Sequence, residues 1–164
     1  MVLERTWKLL LAVAVLALIG ALVLAIGLVT PPWTEDRAEV RVLEGDTGEE
    51  LAVVDVEVAD TPAERYTGLS DHESLPSGEG MLFVHSSEDE RTYVMRDMDF
   101  DIDIVFADAD GEITTIEHAR APEPGEDGED LQYTGHAQYV LEVPRGYANE
   151  TGMDVGDELE IAYE

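Results

Sequence analysis

Two hydrophobic rhythms divide the chain. Leu9 to Val29 is an unbroken run of uncharged, almost wholly apolar residues. Its 21 positions would reach roughly 31 Å as a helix, about the thickness of a bilayer's hydrocarbon core. Beyond Thr30 the rhythm shortens to a period near two. Val54, Val56 and Val58 alternate with Asp55 and Glu57, the pattern of a half-buried strand. Val40 to Leu43, Met81 to Val84, Arg91 to Met95, Phe100 to Phe106, Glu112 to Glu117, Tyr139 to Val143 and Gly156 to Ile161 read as further strands. Thr61-Pro62-Ala63-Glu64 is a helix start, with a capping threonine, a first-turn proline and a glutamate completing a capping box. A second short helical turn is expected near Arg145 to Glu150, and residues 119–136, rich in Pro, Gly and acids, read as a long loop.

The flanks of the apolar run orient it. Arg5 and Lys8 precede it, whereas Glu35, Asp36 and Glu39 follow, so the positive-inside rule puts residues 1–8 in the cytoplasm and the domain outside. Trp7 and Trp33 bracket the run at the two interfaces, and Pro31 and Pro32 stop the helix. A cleaved secretory signal, with Ala25-Ile26-Gly27 as its site, is the competing reading. Its apolar region would normally be about 7–15 residues, shorter than this run. Residues 9–29 are therefore read as a single-pass anchor in the lipid bilayer, residues 30–38 as a juxtamembrane linker and residues 39–164 as one domain.

Charge sharpens the picture of that domain. The 164 residues hold 38 acids against 9 bases, a net −29, and every base beyond the apolar run is arginine. Such a charge repels itself at ordinary ionic strength. In molar salt the Debye length falls to about 3 Å and the repulsion is largely screened. The acids are interleaved with Val, Ile, Leu and Phe at strand spacing, unlike a disordered acidic tail. This is the composition of a halophile's protein. It excludes nucleic acid as a partner, because phosphates require Lys and Arg. The absence of cysteine excludes thiol chemistry, disulfides and cysteine–zinc sites.

Thr61 to Leu69, Gly80 to Val84, Met95-Arg96-Asp97, Ile102 to Phe106 with Asp110-Gly111, Tyr139 to Val143, Gly146, Gly152 and Gly156-Asp157 follow one another in a recognisable order. That order resembles the DUF192 family of small domains of unknown function. The similarity spans about residues 53–160. The family pattern places Asn, Thr and Pro where this chain has Asp97, Met98 and Asp101. The resemblance implies a compact β-sandwich-like fold and carries no activity with it. The expectation is a mainly β domain, a sandwich or barrel of about eight short strands with one or two short helices, behind one transmembrane helix.

Candidate chemistry is sparse. Asp97, Asp99, Asp101 and Asp103 stand at spacing two and would share one face of a strand. They suggest a Ca²⁺ or monovalent cation site at Asp97, Asp99 and Asp101, against a solvated acidic face as the plainer reading. No EF-hand fits, since Ile102 and Asp108 occupy the positions that require Gly and Glu. Asp103 differs from its neighbours in matching a family position. Arg65 could hold an anion, or bridge buried carboxylates such as Asp103 and Glu142. A ligand cleft built from Arg65, Met95, Asp103 and Glu142 follows. His72, His85, His118 and His136 form no H-E-x-x-H pair, and no G-x-S-x-G setting exists for a serine nucleophile. Asn149-Glu150-Thr151 is a glycosylation sequon on the chain's one asparagine. These features favour a non-enzymatic binding or accessory module. The alternatives are an extracellular hydrolase using a buried carboxylate pair and a cation-stabilised structural module.

Overall fold

The computed structural model describes residues 36–164; the apolar run and most of the linker lie outside the described residues. Seven strands form a single mixed sheet: β1 (Arg37–Leu43), β2 (Glu50–Ala59), β3 (Glu79–Val94), β4 (Ile102–Ala107), β5 (Ile113–Ala119), β6 (Gln132–Pro144) and β7 (Glu158–Tyr163). Their order is β5-β4-β6-β3-β2-β1-β7. β2 and β3 are parallel, joined through helix α1 (Pro62–Thr67) and the 3₁₀ turn Gly68–Asp71. The other neighbours are antiparallel. Helix α2 (Tyr147–Thr151) lies between β6 and β7.

The expected sandwich or barrel of about eight strands is corrected in two respects. The sheet rolls until its ends touch, but only through the Glu112–Glu158 bridge. Ile113 N–H donates to Asp157 O at 2.8 Å and Leu159 N–H to Gly111 O at 2.8 Å. The seam does not run the length of the strands, so the sheet is not a closed barrel. Second, Met81–Val84 and all of Arg91–Met95 except Met95 belong to one 16-residue strand, β3. Its middle, His85 to Glu90, is polar and mostly exposed, with a register shift between Val84 and Asp89 against β6. This stretch, the β3 arm, lacks the apolar signature of a strand because its own side chains face solvent and its order comes from pairing with β6.

The same pairing shortens the expected loop over 119–136. β6 begins at Gln132 and takes in Gly135. A side chain at Gly135 would collide with the Phe106 ring, so its glycine permits close packing and does not mark a turn.

Alternation sends each strand's side chains to two faces, and the central strands are covered on both. All of β4 is buried. Val105 and Ala107 join Val40, Val42, Val54, Leu82 and Leu159 in one core cluster. Ile102, Ile104 and Phe106 join Phe83, Met95 and Leu69 in a second. Tyr93 stands edge-on to Phe83 (5.0 Å) and Phe106 (5.9 Å) at the rim of that second cluster.

Helix α1 forms as its sequence dictates. The Thr61 side chain accepts from the Glu64 N–H, and the Glu64 carboxylate accepts from the Thr61 N–H. These bonds hold the Glu64 carboxyl below its ordinary range. No residue of α1 is buried; the following Leu69 pins the segment over Phe83.

Candidate functional site

The second core cluster opens to solvent as a cleft of about 420 Å³. Phe83, Leu69, Ile102 and Glu142 form its buried floor. Three arginines, Arg65, Arg91 and Arg96, stand around it. In a chain with 38 acids, this convergence of cations runs against the composition.

Arg65 projects from α1, and its Nη1 donates to Val84 O at 2.9 Å and to Asp60 O. Arg91, on the arm of β3, donates to Ala137 O (3.4 Å) and Ser87 O (2.5 Å). Both guanidinia are thus steadied by backbone carbonyls, which leave their charge uncompensated. Arg37, Arg41, Arg96, Arg120 and Arg145 each have a carboxylate within 4.0 Å. Among the described residues, Arg65 and Arg91 are the arginines without one. Arg96 pairs with Glu129 at 3.2 Å and lies 3.8 Å over the Tyr66 ring, a cation–π contact at the lip of the cleft.

The inner wall holds three titratable groups, all neutral at pH 7. His85 Nε2 and the Tyr93 hydroxyl are hydrogen-bonded at 2.9 Å. Burial, then Arg91 and Arg65, pushes the His85 imidazolium down to about 4. Burial, then the nearby Glu142 charge, pushes the Tyr93 phenol up. Glu142 is 5 % exposed, and burial alone pushes its carboxyl up to about 8. The cleft therefore has a rim of three arginines with the exposed Glu90 beside Arg91, an apolar floor and a carboxylic acid that keeps its proton.

Of the four residues expected to build a cleft, the structure brings two together, Arg65 and Glu142. Met95 is wholly buried in the second core cluster, its N–H donating to Gly128 O at 3.0 Å. Asp103 lies on the other face of the sheet. Register pairs Glu142 with Met81 and Ile104, whereas Asp103 pairs with Val143. Arg65 consequently bridges no pair of buried carboxylates. Asp103 instead accepts from His118 Nδ1 (2.7 Å), Arg145 Nη1 (3.0 Å), Gly146 N–H (2.9 Å) and Ala148 N–H (3.1 Å). It ties β4 to β5 and to the start of α2. Asp157, the remaining buried acid, accepts from Gly45 and Asp154 N–H groups elsewhere.

The four-aspartate strand is also corrected. Residues 95–101 form a turn, with Asp97 at φ 55, and β4 begins at Ile102. Buried Met95 and Met98 pin this turn, and alternating acids carry no burial energy to oppose them. Asp97, Asp99 and Asp101 are exposed, and Asp101 accepts from Ala121 N–H at 2.7 Å. No group of three or more His, Asp or Glu side chains among the described residues is placed to hold a metal ion. Asn149 is exposed on α2.

In the sequence Arg91 and Tyr93 carry no assigned role and His85 is weighed only as a zinc ligand, although their odd-numbered alternation with Phe83 and the scarcity of cations are available signals.

Comparison with known proteins bears on the whole domain. Residues 42–161 match the model of DUF192, described as an uncharacterized ACR. A crystal structure of a proposed transcription regulator from Sinorhizobium meliloti 1021 is similar at TM-score 0.70 and 25% identity, covering 80% of this chain and 98% of that one. A protein of unknown function from Novosphingobium aromaticivorans DSM 12444 is similar at TM-score 0.66 and 30% identity, covering 80% of this chain and 90% of that one. No curated protein matches. With the family pattern and the fold both present over nearly the whole domain, the chain belongs to the DUF192 family.

Proposed function

We propose that this protein is a membrane-anchored, extracytoplasmic binding module of a high-salt organism, and that its cleft captures an anion. The carrying observation is that Arg65 and Arg91 face the cleft with no carboxylate within ion-pair distance among the described residues, in a chain of net charge −29. Free aspartates and glutamates abound on the surface, so two unneutralised guanidinia in one cleft are best explained by an anion that arrives from outside. Binding is favoured over hydrolysis because the buried acids Asp103, Glu142 and Asp157 have separate surroundings and do not form a pair. The net charge opposes nucleic acid.

The binding reading is tested with the full chain in non-ionic detergent at fixed molar KCl. A panel of small carboxylates and phosphate should include at least one anion that raises the melting temperature by several degrees. The Arg65→Gln/Arg91→Gln double variant should lose that response. A panel with no effect on the wild type overturns the reading.

The anchor is supported by the length, apolarity and flanking charges of residues 9–29. Fractionation of expressing cells should leave the full chain in the membrane pellet through an alkaline carbonate wash, with a chain starting at Asp36 in the supernatant. A shorter product in the medium would establish signal cleavage instead.

A further inference from the structure

Building on the anion-binding reading, we propose that the ligand is an organic acid: its charged group sits between the Arg65 and Arg91 guanidinia, its apolar body covers the floor, and an oxygen function at its far end meets the Glu142 carboxyl.

Size argues for an occupant larger than an inorganic ion. The cleft measures about 420 Å³, within the roughly 300–1,000 Å³ of small-molecule sites. A phosphate or sulfate held by the arginines would leave most of that space to water over an apolar floor. The lining is also segregated. Arg65 and Arg91 lie on α1 and on the β3 arm, whereas Phe83, Leu69 and Ile102 belong to the buried core cluster. A ligand with charge at one end and carbon behind it complements both parts.

Glu142 adds a third requirement. Its carboxyl has no hydrogen-bond partner among the described residues, and burial is the one influence acting on it. The adjacent polar pair, His85 and Tyr93, is satisfied internally. The Glu142 oxygens reach the cleft and are not sealed in the core, so a ligand that covers the floor must offer them a partner or leave them buried and unpaired. Since Glu142 carries a proton at neutral pH, it can donate to a carbonyl or hydroxyl oxygen and, through its own carbonyl, accept from a hydroxyl. A second anionic group at that end would be repelled above the Glu142 transition and desolvated below it.

Three probes separate the parts: phosphate, phenylacetate and 4-hydroxyphenylacetate, titrated calorimetrically into the full chain in detergent at pH 6 and fixed ionic strength. The expected order is 4-hydroxyphenylacetate tightest, phenylacetate at least 10-fold weaker, and phosphate weakest. Glu142→Leu should shrink the advantage of the hydroxyl to within about 2-fold while phenylacetate still binds. Arg91→Gln should weaken both organic acids alike. If phosphate binds as well as the organic acids, or if the hydroxyl confers no advantage in the wild type, this proposal is overturned while the anion-binding reading stands. If none of the three binds, and the wider anion panel also fails, both fall together.

Discussion

Replacing Asp103 with alanine is expected to destabilise the domain by about 3–5 kcal/mol, a large part of the roughly 5–15 kcal/mol that a folded domain ordinarily has. Asp103 is wholly buried, and one of its oxygens accepts from the Gly146 and Ala148 N–H groups. Gly146 is at φ 91 and starts α2, so these amides point inward with no helical partner of their own. The other oxygen receives His118 and Arg145. Alanine would strand two amides beside two side chains that lose their shared anion, and each unsatisfied group costs roughly 1–3 kcal/mol. The Asp103→Asn substitution keeps one acceptor oxygen and removes the charge, so its stability should fall between those of wild type and Asp103→Ala. Urea unfolding followed by far-ultraviolet circular dichroism in molar KCl measures both. A midpoint for Asp103→Ala close to that of the wild type would refute the anchoring role. Because Asp103 lies away from the cleft, any variant that remains folded should still bind the anion, which separates this structural role from the binding one.

The contrast between Asp103 and its neighbours shows what the sequence can convey. Val54, Val56 and Val58 alternate because one face of β2 is buried, and burial energy writes itself into composition. The capping box at Thr61 and Glu64 is equally local and forms as expected. The aspartates at 97, 99 and 101 copy the same spacing without any apolar energy behind it, and the chain there turns around Met95 and Met98. The reverse error occurs in β3, where a polar stretch remains a strand because β6 pairs with it from far along the chain. Asp103 was conspicuous as a family position, but its donors at Arg145, Gly146 and Ala148 stand 42 to 45 residues away, so its role as an acceptor could not be read locally. The cleft was half legible for the same reason. Arg65 and Glu142 stood out, whereas Arg91, His85 and Tyr93 gain meaning only when α1 and the β3 arm are brought over one floor.

Glu142 supplies the second large effect, and its sign is opposite to that of ordinary acid denaturation. Its carboxyl titrates near 4.5 when exposed and at about 8 in the folded protein, so the native state holds an extra proton across that interval. Stability from this group is therefore complete below about pH 4.5 and is lost as the pH rises through 8. At about 1.4 kcal/mol for each pH unit between the two values, the loss is on the order of 5 kcal/mol. Glutamine at this position has nearly the same shape and no charge to bury. Glu142→Gln should match the wild type at pH 5 and exceed it by a few kcal/mol at pH 9. His85 acts in the other direction: its folded value lies at about 4 against 6.5 unfolded, so its contribution is present above 6.5 and lost as the pH falls. Wild-type stability alone would blend the two slopes with those of the many surface acids. The difference between wild type and Glu142→Gln cancels every contribution they share. Urea midpoints at pH 5, 7 and 9, with molar KCl held constant, should give a difference that grows with pH and levels off above 8. Parallel profiles would mean that Glu142 is hydrated or paired in solution. The carboxylic acid at the floor of the cleft would then be an anion at neutral pH, repelling the ligand that the two arginines attract.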